Sequence, residues 1–447
     1  MTIWSPRLQE TPQPIYARIA DALERDVRGG LLVGGSQLPT HRQLARVLGI
    51  TPVTVTRAYA EAARRGLVES ATGRGTFVRA SRRDSITAPI TAADDFDLST
   101  NIVNVPLPTA SRTLLDRAAA MLSSATYAAG SGSERHRAAG AMWIGRRTDP
   151  SRVIVTSGTQ HALLIAFASA ARAGDVILAD SVTYHGAKNA AALLGIRLAP
   201  LPFDRAGILP DALERASRGR GPKVLYVMPS LHNPTGTVMP EKRRRELAAV
   251  AEKRGVTIIE DDIAGFLLEK TPPPIAAFAP ERTLFITGLG KAITPAMRVG
   301  YFTAPDAFLP RAQSALAASI LFTSPLLAEM AATWIEDGTA MKIVEQKRAE
   351  ALLRNRTARR ILPRASGDPR SPHLWLPLPP QWTADAFAEE ARRRRVRVAS
   401  ATSFAVGSEV PRAIRISVGA PDSIAALETA LHILAGIGEE RTEEPLV

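Results

Sequence analysis

Thr283-Leu284-Phe285-Ile286-Thr287-Gly288-Leu289-Gly290-Lys291 decides how this chain is read. Residues 283–287 are a short β-branched and aromatic run suited to a buried strand, the glycines punctuate it, and a lysine follows where the chain leaves the strand. A lysine in such a place is ordinarily a solvated cation. Lys291 stands out by its company in order along the chain: Ser157-Gly158-Thr159-Gln160, Tyr184, Asn233-Pro234-Thr235-Gly236, Asp261, and Arg298 seven residues beyond it. The set contains an amine that can condense with an aldehyde and a carboxylate to face a pyridine nitrogen. It also contains an aromatic ring to cover such a heterocycle, an amide for a phenolic oxygen, and a strand-to-helix turn with an arginine to hold a phosphate.

Taken singly, each of these has a plainer reading. Gly158 sits in a common strand-to-helix turn, Tyr184 is a loop aromatic, Asn233-Pro234-Thr235-Gly236 is a turn, and Asp261 is a helix cap. The order and spacing carry the argument. Working outward, strand candidates at 152–156, 176–180, 197–201, 223–228, 256–261, 283–287 and 299–303 alternate with helical stretches. Such alternation predicts an α/β domain, a mostly parallel sheet with helices on both faces. From about 350 a helix-rich run precedes strands near 372–378, 396–399 and 412–418 and a last helix from Pro421 to Leu434, which predicts a smaller α+β subdomain.

The first eighty residues read differently. Ile15, Ile19, Leu23 and Val27 recur at helical spacing in a helix over 14–32 that stops at Gly29-Gly30. Thr40 caps a second helix that closes at Gly49, and Thr51-Pro52 opens a third that runs to Gly66. Two helices joined by a tight turn form a helix-turn-helix, and 67–78 reads as a hairpin whose tip carries Arg74, a wing. The third helix offers Thr51, Thr54, Thr56 and Arg57 to base edges and phosphates, with Thr40, Arg42 and Gln43 on the second helix and Arg74 on the wing as backbone or minor-groove contacts. Residues 80–96 are polar, lack periodicity and contain Pro89, as a linker would.

Bulk properties agree. A chain of 447 residues exceeds one ordinary core, and 45% hydrophobic with 22% charged residues is the composition of a globular protein. The formal charge of +13 is concentrated in front, where residues 1–83 carry thirteen arginines against six acidic residues. That excess suits a polyanionic partner, double-stranded DNA. The absence of cysteine removes disulfides and thiolate metal sites, and no metal site is expected. No leader-like N-terminus or long apolar run is evident, so no membrane association and a cytoplasmic location are expected.

Two resemblances sharpen this picture. Leu38-Pro39-Thr40-His41-Arg42-Gln43-Leu44-Ala45, Leu48-Gly49-Ile50-Thr51, Thr54-Val55-Thr56-Arg57-Ala58-Tyr59 and Gly73-Arg74-Gly75-Thr76-Phe77-Val78 resemble the GntR-type winged helix over roughly 12–79. Residues 97–435 resemble fold-type-I pyridoxal-phosphate aminotransferases. That resemblance implies pyridoxal 5'-phosphate bound as an internal aldimine on Lys291, with Asp261 facing the pyridinium and Asn233 its O3'. It further implies Tyr184 stacking on the ring, Gly158, Thr159, Gln160 and Arg298 around the phosphate, Arg415 on a ligand α-carboxylate, and Tyr127 reaching the phosphate of a partner subunit in a homodimer. Together the two resemble the MocR subgroup of GntR regulators. This implies a winged helix-turn-helix over 1–79, a linker over 80–96 and an aminotransferase-like domain over 97–447, with a large part to about 345 and a small part from about 346. It implies a transcriptional regulator that binds operator DNA and responds to the cofactor or to a small amino compound.

The chain departs from the aminotransferase pattern in three places. Asp261-Asp262-Ile263-Ala264 lacks the tyrosine that usually follows the acid and donates to O3', and Gly288-Leu289-Gly290 lacks the usual serines before the lysine. His185 and His232 replace commoner residues and are candidate substitute donors. These departures leave enzymatic turnover open. They keep two alternatives in view: an aminotransferase with a vestigial front module, and a regulator that has lost its cofactor.

Overall fold

The computed structural model describes residues 4–6, 8, 13–28, 32, 36–65, 67–71, 75–78, 95–110, 112–124, 130–145 and 148–439. The chain forms two compact units, Met1–Ala92 and Ala93–Val447. Arg74, Tyr127 and most of the expected linker lie outside the described residues.

In the first unit, α1 (Ile15–Arg28), α2 (His41–Leu48) and α3 (Pro52–Arg64) precede an antiparallel hairpin, β1 (Val68–Ala71) and β2 (Gly75–Val78). The sequence sets their limits. Thr40 and Gln43 form a reciprocal capping box at the start of α2, and Gly49 closes it in the left-handed conformation (φ 64°). Thr51 caps α3 and Pro52 occupies its first turn, where a missing N–H costs nothing. The apolar faces of the three helices meet around Ile19, Leu23, Leu44, Val55 and Ala58. The Tyr59 hydroxyl, buried with them, donates to Pro39 O at 2.9 Å. The hairpin is tied back by Leu38 N to Thr76 O (2.8 Å) and Val78 N to Ser36 O (2.9 Å).

The second unit is built on a seven-stranded sheet. Its spatial order is Val153–Thr156, Gly300–Thr303, Thr283–Gly288, Thr257–Asp261, Val224–Val227, Val176–Asp180, Arg197–Leu201. Only Gly300–Thr303 runs against its neighbours. The central strands are buried on both faces, which is why they read as continuous apolar runs rather than alternating ones. Helix Thr159–Ala170 packs through Leu163 and Phe167 onto the core, and a separate core around Leu247, Ala251 and Ile258 forms beneath Glu241–Arg254.

The smaller part holds a three-stranded sheet ordered His373–Pro377, Ala413–Ser417, Ala399–Ser400. The strand expected over 396–399 is divided. Val396–Arg397 pairs in parallel with Phe96–Asp97, while Ala399–Ser400 joins Ala413–Ser417. Phe96, expected at the end of the linker, therefore belongs to the folded body, its N–H bonded to Arg395 O at 2.9 Å. The last helix is Ile424–Glu439, later at both ends than expected. Ser423 supplies the cap through Ala426 N to its hydroxyl (3.1 Å), and Pro421 O is held instead by Arg354. Helix Thr339–Ile361 crosses from the large part into the small.

Candidate functional site

Parallel strands deliver their C-terminal ends to one edge, and the register fixes what meets there. Gly300 pairs with both Thr156 and Gly288, so Ser157-Gly158, Arg298 and the Leu289–Ala292 turn that carries Lys291 converge. Asp261 ends the next strand. Gly288 is glycine for a steric reason: a Cβ there would fall 2.9 Å from Gly300 Cα, Thr159 Cγ2 and Val299 O. The serine absent from this position therefore has no room here.

Helix Thr159–Ala170 starts at Gly158 (φ 85°) without a side-chain cap, so its first N–H groups have no partner inside the helix. The Arg298 guanidinium lies over this turn, 3.1 Å from the place a Gly158 Cβ would occupy, and donates to Ser157 O at 3.3 Å. Free donors at a helix start beside a guanidinium suit a phosphate. Gln160 is turned aside, its amide donating to Gly186 O at 2.9 Å. Gly186 in turn must be small, because a Cβ would come within 2.3 Å of the Tyr184 ring. The His185 ring lies 4.7 Å from that of Tyr184.

Asp261 is 3% exposed. One of its oxygens accepts from the Tyr226 hydroxyl at 2.9 Å, and the other, Oδ1, has no partner. Burial raises its carboxyl to about 6, against the lowering effects of Tyr226 and Lys291. An orphaned buried carboxylate oxygen fits a cationic N–H donor such as a protonated pyridine nitrogen. Burial, aided by the Arg415 charge and opposed by Asp261, lowers the Lys291 ammonium from 10.5 to about 8. Arg415 is buried in the middle strand of the small sheet. It donates to Asn233 Oδ1 at 2.8 Å and to Ser99 O, and its Nε has no partner. Asn233 thereby keeps its amide nitrogen for another acceptor. The His232 Nδ1 meets Thr235 Oγ1 at 2.8 Å, and its buried Nε2, 3.6 Å from Asp180, makes no hydrogen bond.

Two residues escaped the sequence reading. Tyr226 stands in a fully buried strand, where a phenol must find a partner, and that requirement is its signal. Lys347 lies on the buried stripe Val344, Lys347, Ala351, Arg354, Ala358 and is 1% exposed. Its ammonium donates to Val103 O at 2.7 Å and to Lys291 O at 3.0 Å, which fixes the backbone of the lysine turn. Its signal is a lysine in phase with apolar neighbours.

The first unit shows a graded charge along α3. At its far end Arg64 and Arg65 are neutralised by Glu61, and Arg65 also by Asp21 and Glu24. Toward its start Arg57, together with Arg42 and Arg46 of α2, has no carboxylate partner among the described residues. Among the described residues the first half of α3 thus carries the less compensated positive charge, which suits a polyanion. Thr40 and Gln43 are engaged in their capping box, Thr51 and Thr54 share a hydroxyl contact of 3.0 Å, and Thr56 donates to Pro52 O at 3.0 Å. Among the described residues no group of three His, Asp or Glu could hold a metal, and no helix is long and apolar enough to cross a membrane.

A winged helix joined to a sheet whose C-terminal edge gathers Lys291, Asp261 and Arg298 defines a DNA-binding module fused to an aminotransferase-like body. Residues 15–78 match the family described as bacterial regulatory proteins, gntR family, and residues 93–434 match aminotransferase class I and II. The chain is 30% identical over 98% of its length to an uncharacterized HTH-type transcriptional regulator, YdeF, of Bacillus subtilis, covering 97% of that protein. It is 26% identical over 73% of its length to the probable rhizopine catabolism regulatory protein MocR of Rhizobium meliloti, covering 72% of it. The fold of LysN, an α-aminoadipate aminotransferase from Thermus thermophilus solved with N-(5'-phosphopyridoxyl)-L-leucine, superposes with a TM-score of 0.69 at 22% identity, covering 85% of this chain and 97% of that one. The chain belongs to the aminotransferase class I and II family through its second unit and, with its GntR-type front module, to the MocR-type transcriptional regulators.

Proposed function

We propose that this protein is a DNA-binding transcriptional regulator whose larger unit holds pyridoxal phosphate on Lys291 and answers to an amino compound. The observation that carries this reading is the orphaned Oδ1 of buried Asp261 on the sheet edge that also carries Lys291 and Arg298. Bound there, the cofactor would supply an electrophilic carbon and an electron-withdrawing ring. Asp261 would accept the pyridine N–H, with Tyr226 fixing its other oxygen. The Gly158-Thr159-Gln160 turn and Arg298 would take the phosphate, Tyr184 the ring face, and the Asn233 amide O3'. Arg415 would exchange its bonds to Asn233 and Ser99 for a ligand carboxylate, a bidentate task suited to a guanidinium.

In the first unit Arg42 and Arg57 would contact operator phosphates or bases, with Arg74 on the wing. The 1–79, 80–96 and 97–447 division, a homodimer completed by Tyr127 from a partner, and a cytoplasmic location belong to the same reading. Ala264 and Gly288 remove two aids to turnover and favour sensing over catalysis. Electrophoretic mobility shift on promoter DNA tests it, with the full chain, with and without pyridoxal phosphate, and with Lys291→Ala. The reading expects a cofactor-dependent shift that Lys291→Ala abolishes. A shift identical in all four samples would overturn the sensory half.

A further inference from the structure

Val53 is 63% exposed, more than Ile15 (41%) or Val47 (49%), the other large apolar side chains exposed among the described residues of the first unit. A single exposed valine is unremarkable on most surfaces. Its setting here is not ordinary. It occupies the first turn of α3, one turn before Arg57, which has no carboxylate partner among the described residues. Packing does not account for it, and a β-branched residue serves an exposed helix position less well than alanine.

The threonine hydroxyls around it each hold a local bond. The Thr51 hydroxyl caps the Thr54 N–H and contacts the Thr54 hydroxyl, and the Thr56 hydroxyl donates to Pro52 O and stands 3.2 Å from His41 Nδ1. Beside these locally bonded hydroxyls, Val53 adds an exposed aliphatic side chain to the first turn. In a major groove the one aliphatic feature of a base edge is the C5 methyl of thymine.

We propose that Val53 reads a thymine C5 methyl in each operator half-site; this rests on the DNA-binding role proposed above. Val53 and Arg57 are separated by about 6 Å along the helix axis. Base pairs are about 3.4 Å apart, so the thymine lies within about two base pairs of the group that Arg57 meets.

The test uses the full chain and the duplex it selects from random-sequence DNA. Each selected thymine is replaced in turn by deoxyuridine, which removes the methyl and keeps every hydrogen-bonding group. Binding is measured by fluorescence anisotropy at fixed salt. The expected result is one thymine per half-site whose replacement weakens wild-type binding about fourfold, the effect of returning one methyl-sized apolar contact to water. Val53→Ala should weaken binding to the thymine duplex by a similar factor, ignore that deoxyuridine and keep the same salt dependence. The inference is overturned if a duplex is selected but no thymine is sensitive, or if Val53→Ala retains the sensitivity. Failure to select any duplex at low salt overturns the DNA-binding role itself, and the inference with it.

Discussion

Capture of pyridoxal phosphate by cofactor-free protein should rise about tenfold per pH unit from pH 6 and level off near pH 8, because the neutral amine is the nucleophile. Lys291 is lowered from 10.5 to about 8 by burial first and by Arg415 second. At pH 7 about one such amine in eleven is neutral, against about one in three thousand for a lysine of ordinary basicity. The rate advantage is about 300-fold, or about 3 kcal/mol. Stopped-flow absorbance across pH 6–10 reads it directly. Asp261→Asn should move the plateau to lower pH, since the Asp261 charge holds the ammonium up. A rate still climbing above pH 9.5, or capture unchanged in Lys291→Ala, would refute the argument.

Asp261 yields a further expectation in the absence of cofactor. Its folded value of about 6 exceeds the ordinary 3.8, so its relative stabilisation is present below pH 3.8 and lost as pH rises through 6. Cofactor-free Asp261→Asn should accordingly be more stable than wild type at pH 7 by up to about 3 kcal/mol, with the gap closing toward pH 4 in urea titrations. Gly288→Ser, which restores the residue common in aminotransferases, should destabilise by about 1–3 kcal/mol, because its Cβ meets backbone at 2.9 Å. An unchanged melting temperature would contradict that packing. Arg42→Ala should weaken binding to any duplex and reduce the slope of log affinity against log salt by about one. An unchanged slope would remove Arg42 from the phosphate contacts.

Much of the architecture was legible because each local signal agreed with its neighbours. The strands of the large sheet read as apolar runs, and Thr40, Gly49, Thr51 and Pro52 set the limits of α2 and α3 through their own backbone chemistry. Boundaries failed where tertiary pairing decided them. Nothing local in Val396–Ser400 says that its two halves join different sheets, one through Phe96–Asp97 and the other through Ala413–Ser417. The reasons behind the departures were equally hidden. Gly288 is dictated by Gly300, Thr159 and Val299, and His232 Nε2 is set facing Asp180, neighbours that only the assembled sheet supplies. Tyr226 and Lys347 went unread because both act from inside elements that look like plain core.

The central claim is a covalent bond at one nitrogen. Protein saturated with pyridoxal phosphate, reduced with borohydride and digested should yield the peptide containing Lys291 with a phosphopyridoxyl group on that residue, and no such group in Lys291→Ala. An unmodified Lys291 in saturated, reduced protein would contradict the account.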